Sequence, residues 1–159
     1  MEEIIDKHLE EIVSSGINSI VGTVASEMAD PKGDAADDWQ KWYPVNSIVS
    51  DVDLNNLETE LGYKLPESYR AFLGYKHFYE LYIDECSFCS HPIHTWRNKL
   101  LEKIFDGYPA EFLIEKGLVL LGVDEVTTVL VGDETGSDVI GLQLAKQYHH
   151  DLKQKFLLY

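Results

Sequence analysis

Residues 42–78 read WYPVNSIVSDVDLNNLETELGYKLPESYRAFLGYKHF and contain two consecutive helix signals. Ser50 and Asp51 offer side-chain oxygens that can cap the N-terminus of the first helix. Gly62 follows the last apolar position, where a left-handed residue commonly ends a helix. The pattern therefore predicts a helix between Asp51 and Gly62, and its inner face consists of Val52, Leu54, Leu57 and Leu61.

The second helix signal is KLPESYRAFL, at residues 64–73. Pro66 suits the first turn of a helix, because its missing N–H needs no partner there and its φ angle is already helical. Glu67 follows, close to the positive end of the helix. The predicted apolar side consists of Leu65, Tyr69, Phe72 and Leu73. Two helices joined by a short connection are thus expected.

The sequence after residue 78 passes from helical to strand-like patterns. Aromatic residues predict a strand at 79–84, and apolar residues at helical spacing predict a helix at 95–105. A further short helix is predicted at 110–116, followed by strands at 118–122, 127–132, 138–144 and 155–159. Helices followed by a run of strands indicate an α+β fold, with helices packed on one face of a largely antiparallel sheet.

The N-terminal part has its own pattern. Apolar residues at helical spacing predict an amphipathic helix at 3–14 that ends at Gly16, and similar spacing favours a second helical stretch at 17–24. Residues 29–38 are polar and rich in Gly, Pro and Asp, so they are interpreted as a loop. We therefore expect residues 1–38 to form a helical extension with an acidic loop, and residues 39–159 to form the main domain of a single globular unit.

The ordered set Leu57, Glu58 and Leu61, then Gly62, then Leu65-Pro66, then Tyr69 and Phe72-Leu73 resembles the SUKH superfamily. This group contains yeast cell-wall regulators and many bacterial immunity proteins. The resemblance covers residues 39–78 and extends more loosely to residue 144. It implies an α+β domain without enzymatic activity, which in bacteria binds and neutralises a protein toxin, frequently a nuclease. Because each signature residue also has a structural explanation, the resemblance identifies a fold better than a function.

The net charge of −15, from 28 acidic and 13 basic residues, limits the classes of partner. Nucleic acids and anionic membrane surfaces would be repelled, whereas a basic protein would be attracted and its encounter accelerated. Solubility alone is the competing explanation of the acidity. The N-terminus lacks the basic and apolar blocks of a signal peptide, and two cysteines suit a reducing compartment, so we expect a cytoplasmic protein.

The segment Cys86-Ser-Phe-Cys89-Ser-His91-Pro-Ile-His94 offers two thiols and two imidazoles, the ligand types that zinc prefers. The two histidines follow the cysteines too closely for an ordinary zinc finger. We therefore interpret the segment as a surface loop with Phe88 and one cysteine packed inward, and we predict no cofactor. Cys86, Cys89, His91 and His94 stay as weak metal candidates.

Acidic residues also cluster near the predicted turns of the sheet. These acidic residues are Asp124, Glu125, Asp133, Glu134 and Asp138. We expect them to share one rim of the sheet, where they could bind a basic partner, although turns favour aspartate in any case. Asp30, Asp34, Asp37 and Asp38 form a second acidic loop, which we interpret as flexible rather than specific.

The leading functional hypothesis is a non-catalytic immunity protein that binds a basic protein toxin. The chain shows neither a nucleophile elbow nor a glycine-rich phosphate loop, so catalysis has little support. The alternatives are a regulatory scaffold in cell-wall or signalling assemblies and a zinc-dependent domain built on Cys86–His94. The identity of the toxin and the oligomeric state stay open.

Overall fold

A computed structural model describes residues 1–62, 64–83, 86–106, 118–124 and 129–133. The helices in these ranges are α1 (Glu2–Ser15), α2 (Asp51–Leu61), α3 (Glu67–Leu73) and α4 (Trp96–Asp106). The strands are β1 (Ser19–Val21), β2 (Trp39–Lys41), β3 (Val45–Asn46), β4 (Lys76–His77), β5 (Tyr82–Ile83), β6 (Cys86–Phe88), β7 (Leu118–Asp124) and β8 (Val129–Asp133). Every strand pair is antiparallel, which confirms the predicted α+β class.

Helix α1 confirms the amphipathic pattern at residues 3–14. Ile5, Leu9 and Ile12 are buried on one side, and Gly16 ends the helix with a φ angle of 75°. Ile4, whose apolar side chain also matched the pattern, is exposed. The buried stripe is therefore narrower than the sequence indicated.

Residues 17–24 form no helix, so that prediction is wrong. Instead, β1 pairs with β2, and the Asn18 amide donates a hydrogen bond to the carbonyl oxygen of Trp42 at 2.6 Å. The left-handed backbone at Gly16 ends α1, and Gly22 at φ 105° interrupts helical geometry again. Between these two glycines the β-branched residues gain more from pairing with β2 than from helical spacing.

Helices α2 and α3 follow the sequence signals closely. Ser50 caps α2 in a capping box with Asp53, and Gly62 ends the helix at φ 66°. Pro66 precedes the first residue of α3. Val52 was predicted to face inward but is exposed, because it lies about 200° around the helix from Leu54.

The larger sheet has the order β5-β6-β7-β8. Strand β5 occupies only part of the predicted 79–84 strand, while β7 and β8 match the predicted strands at 118–122 and 127–132. The predicted helix at 110–116 and the predicted strands at 138–144 and 155–159 lie outside the described residues. None of the helices in the described ranges has both the length and the apolar character needed to cross a lipid bilayer.

One hydrophobic core joins the N-terminal segment to the rest of the described chain. Its N-terminal members are Ile5, Leu9, Ile12, Val24 and Met28. Two hydrogen bonds reinforce this packing: the Tyr75 hydroxyl donates to Asp6 at 2.6 Å, and the Ala25 N–H donates to the Tyr79 hydroxyl at 2.8 Å. The boundary after residue 38 stays a prediction, but residues on both sides of it contribute to the same core.

Candidate functional site

Only two of the five predicted acidic partner-binding residues lie in described strands. Asp124 is the last residue of β7 and Asp133 is the last residue of β8, where it pairs with Leu118. Because the two strands are antiparallel, these aspartates lie at opposite ends of the pair, about 20 Å apart. The expectation that they share one rim is therefore wrong. Glu125, Glu134 and Asp138 lie outside the described residues, and the partner-binding role of the five stays a prediction.

The Cys86–His94 segment is not the surface loop that the sequence suggested. Its first three residues form β6, the second strand of the larger sheet. His91 then exchanges two backbone hydrogen bonds with Phe78, at 2.9 and 3.1 Å, which ties the segment to the core. Phe88 and Cys89 do pack inward, as expected. Burial raises the pKa of the Cys89 thiol to about 11, so the metal-binding thiolate is disfavoured.

The two histidines of this segment have different environments. His91 is buried against His77, whereas the exposed His94 places Nε2 3.0 Å from Oε1 of Glu27. Within the described ranges, no three His, Cys, Asp or Glu side chains are arranged to hold a metal ion. The geometry of the described residues thus offers no support for the zinc alternative.

A buried pair of histidines is the feature that the sequence analysis missed. The rings of His77 and His91 are stacked with their centroids 4.6 Å apart, and their Nδ1 atoms are 3.0 Å apart. The Nε2 atom of His77 accepts a hydrogen bond from the N–H of Ile48 at 3.1 Å. Its Nδ1 must therefore carry the proton in the neutral ring, and this N–H can donate to the carbonyl oxygen of His91 at 3.0 Å.

Nδ1 of His91 has two neighbours, and its role depends on the tautomer. It lies 3.0 Å from the carbonyl oxygen of Lys76, to which it donates in one tautomer, and 3.0 Å from Nδ1 of His77, from which it accepts in the other. The buried Nε2 of His91 has no hydrogen-bond partner among the described residues. A second proton on either ring would face another N–H group or an apolar interior. Burial lowers the pKa of His77 and, together with the charge of His77, lowers the pKa of His91 to about 3. The pair is thus held neutral and fixes β4 to the segment before α4.

The described surface also carries a fixed apolar pair. Val21 of β1 and Trp39 of β2 are opposite each other in the register, and their side chains are 67% and 64% exposed. This pair could not be predicted as long as residues 17–24 were expected to be helical, because Val21 then has no cross-strand partner. The β-branched residues around Gly22 were the available signal for a strand.

One comparison with known proteins found a match. The model of the SMI1 / KNR4 family (SUKH-1) matches residues 48–151, which is more than half of the 159-residue chain. No curated protein and no solved structure matches the chain significantly. The match begins after β3 and includes α2, α3 and α4.

Proposed function

Since the chain belongs to the SMI1 / KNR4 family (SUKH-1), we propose that it is a non-catalytic module that binds and neutralises a basic protein toxin. The family match is the observation that carries the proposal, because the resemblance implies a protein partner. The proposal goes beyond the family match in three respects: that the partner is a toxin, that it is basic, and that binding neutralises it.

Electrostatics supports a basic partner. A toxin that cleaves nucleic acid needs a positively charged surface to hold phosphates, and a chain of net charge −15 is suited to cover such a surface. Attraction of this kind raises the association rate and weakens as salt screens the charges. The mechanism would be steric: the bound module occludes the active cleft of the toxin. Cys89 is a free, buried cysteine, which is compatible with the proposed cytoplasmic location.

A regulatory scaffold in cell-wall or signalling assemblies is the second candidate. The same family match favours it, because the resemblance includes yeast cell-wall regulators. The two candidates differ in the number and charge of their partners: an immunity protein has one tight, basic partner, whereas a scaffold collects several proteins.

A pull-down from the lysate of the source cell separates the two candidates. The tagged chain is the bait, at low and at moderate salt, and an unrelated protein of similar net charge is the control. We expect one basic protein that the control does not retain, with a yield that falls as salt rises. Co-expression of that protein should arrest growth, and the chain should restore growth. Recovery of several wall-synthesis or signalling proteins would favour the scaffold, and recovery of no basic protein at either salt would contradict the immunity proposal.

A further inference from the structure

The pairing of β1 with β2 determines which side chains project from the ribbon that they form. The N–H of Gly22 donates to the carbonyl oxygen of Asp38 at 3.1 Å, and the N–H of Trp42 donates to that of Asn18 at 2.9 Å. Antiparallel strands alternate between hydrogen-bonded and non-hydrogen-bonded pairs, so Val21 and Trp39 form a non-hydrogen-bonded pair. Side chains of such pairs approach each other closely and form one continuous apolar surface.

The opposite face of this ribbon is anchored. Ile20 packs against the hydrophobic core, and the side chain of Gln40 accepts a hydrogen bond from the N–H of Val24 at 3.0 Å. The same side chain donates to the carbonyl oxygen of Ala35 at 2.9 Å. The ribbon is therefore held on one face while Val21 and Trp39 stay exposed on the other. A preformed surface loses little conformational entropy on binding.

The loop between the two strands brings negative charge close to Trp39 along the chain. Asp34, Asp37 and Asp38 are exposed in the residues immediately before Trp39. Asp34 also accepts a hydrogen bond from the N–H of Ala36 at 2.9 Å, which forms a local turn in this part of the loop. The aspartates of residues 30–38 outnumber the nearby cations Lys32 and Lys41.

We propose that the exposed pair of Val21 and Trp39, together with the adjacent acidic loop that contains Asp34, Asp37 and Asp38, is the face that docks the basic protein partner. Trp39 would enter an apolar pocket of the partner, and lysine or arginine side chains around that pocket would face the aspartates. Tryptophan is strongly enriched among the residues that dominate binding energy. This inference rests on the proposed function, because the occupant is the same basic protein.

All five residues precede residue 48, where the family match begins, so the face lies outside the part of the chain that the family model describes. A second copy of the chain is a poor occupant, since it would bring the same negative charges to the contact.

Binding to the basic protein recovered in the pull-down tests the inference. We expect Trp39→Ala to weaken binding about 30-fold or more. Neutralisation of the loop in the triple variant D34N/D37N/D38N should slow association and reduce its salt dependence. Val52→Ala is the control for an exposed apolar side chain, since Val52 is 66% exposed on α2. The triple variant E2Q/E3Q/E10Q, which removes three exposed charges from α1, is the control for charge.

Fluorescence gives a second readout that is independent of mutation. Of the three tryptophans, Trp42 is 0% and Trp96 8% exposed, so acrylamide quenching of the native chain reports mainly on Trp39. Addition of the partner should abolish this quenching. If the wild-type chain binds a basic protein but Trp39→Ala binds equally well and quenching persists, the docking surface is wrong while the proposed function stands. If no basic protein binds the wild-type chain, both proposals fail.

Discussion

His77 and His91 show how two residues that are common on protein surfaces can become part of a core. Nδ1 of each ring lies 3.0 Å from a backbone carbonyl oxygen, and Nε2 of His77 accepts the N–H of Ile48. The bond to Ile48 requires a neutral His77, and burial disfavours the charged form of both rings. Because the folded state disfavours the second proton and the unfolded chain accepts it near the ordinary pKa of 6.5, acid must destabilise the fold.

The pH dependence of stability has a definite sign. The pKa of His91 falls to about 3 on folding, so its contribution to stability is complete above pH 6.5 and is lost as pH falls from 6.5 towards 3. In that window we expect the wild-type chain to lose about 1.4 kcal/mol per pH unit through His91 alone. His91→Gln should be less stable at neutral pH but show a shallower slope, measured by urea unfolding at several pH values. Leu9→Ala, which removes no titratable group, should keep the full slope. An equally steep slope for His91→Gln would contradict this account.

Helix ends that are determined by neighbouring residues could be predicted from the sequence, whereas contacts between distant residues could not. Ser50, Gly62 and Pro66 act on the backbone within a few positions of themselves, and each lies where the sequence placed it. His77 and His91 are 14 positions apart and meet only because β4 and the segment before α4 pack together. Nothing in the local pattern around either histidine indicates that contact.

At the scale of elements, a buried ion pair joins α2 to α3. Glu58 is buried, and its Oε1 accepts hydrogen bonds from Nη1 of Arg70 at 2.8 Å and from the N–H of Leu65 at 3.0 Å. Nη2 of Arg70 also reaches Asp51 at 3.2 Å. The Glu58 carboxylate thus accepts hydrogen bonds both from a backbone N–H in the connection between the helices and from a guanidinium of the second helix.

Removal of Glu58 should destabilise the helix pair strongly. Glu58→Ala leaves Nη1 of Arg70 and the N–H of Leu65 without their acceptor, and we expect a loss of about 3 kcal/mol in the free energy of unfolding. Glu58→Gln keeps an acceptor oxygen and should lose about 1 kcal/mol. Glu60, on the same helix, pairs with Arg97 at the surface, so Glu60→Gln should change stability by less than about 1 kcal/mol. Urea unfolding measures all three, and equal effects at positions 58 and 60 would refute the buried role of Glu58.

Helices with their own start and stop signals and the neighbouring strands β7 and β8 were predicted well, whereas the short strand β1, which depends on a distant partner, was not. Helices α1, α2 and α4 carry apolar spacing over three turns or more, so their existence follows from local sequence. Strand β1 has three residues, and its partner β2 lies about twenty positions further on. Periodicity over so few residues cannot distinguish a strand from a helix, and the candidate docking face was missed for the same reason.

At the scale of the whole molecule, the N-terminal segment is integral to the core. Leu9 and Met28 are as deeply buried as Leu57 and Leu100, and all belong to one cluster. The sequence suggested an extension, because a polar loop separates residues 1–28 from the rest. The composition of that loop predicts that it lies at the surface. It does not indicate whether the residues before and after it pack into the same core.

A pair of variants on α1 tests this conclusion. Leu9→Ala should destabilise the whole fold by about 2–5 kcal/mol, because it leaves a cavity in the shared core. Ile4→Ala, on the exposed side of the same helix, should have little effect. Thermal unfolding followed by fluorescence of the buried Trp42 and Trp96 measures the transition of the remainder of the chain. If Leu9→Ala leaves that transition unchanged, α1 is an independent extension.

The loop at residues 30–38 has a consequence for how such a chain can change over generations. Its first end is held by the bridge between Ala29 and Trp42 and by the Asp30 N–H, which donates to the carbonyl oxygen of Lys41 at 3.1 Å, and its second end leads directly into β2. No residue between Pro31 and Asp38 is buried. The free energy of closing a loop rises only slowly with its length, so insertions and deletions here leave folding nearly unaffected. Mutation can therefore explore new lengths and side chains in this loop while selection preserves the core. Under the proposed docking at this loop, a change in the partner could be matched by a change here without a compensating change in the core.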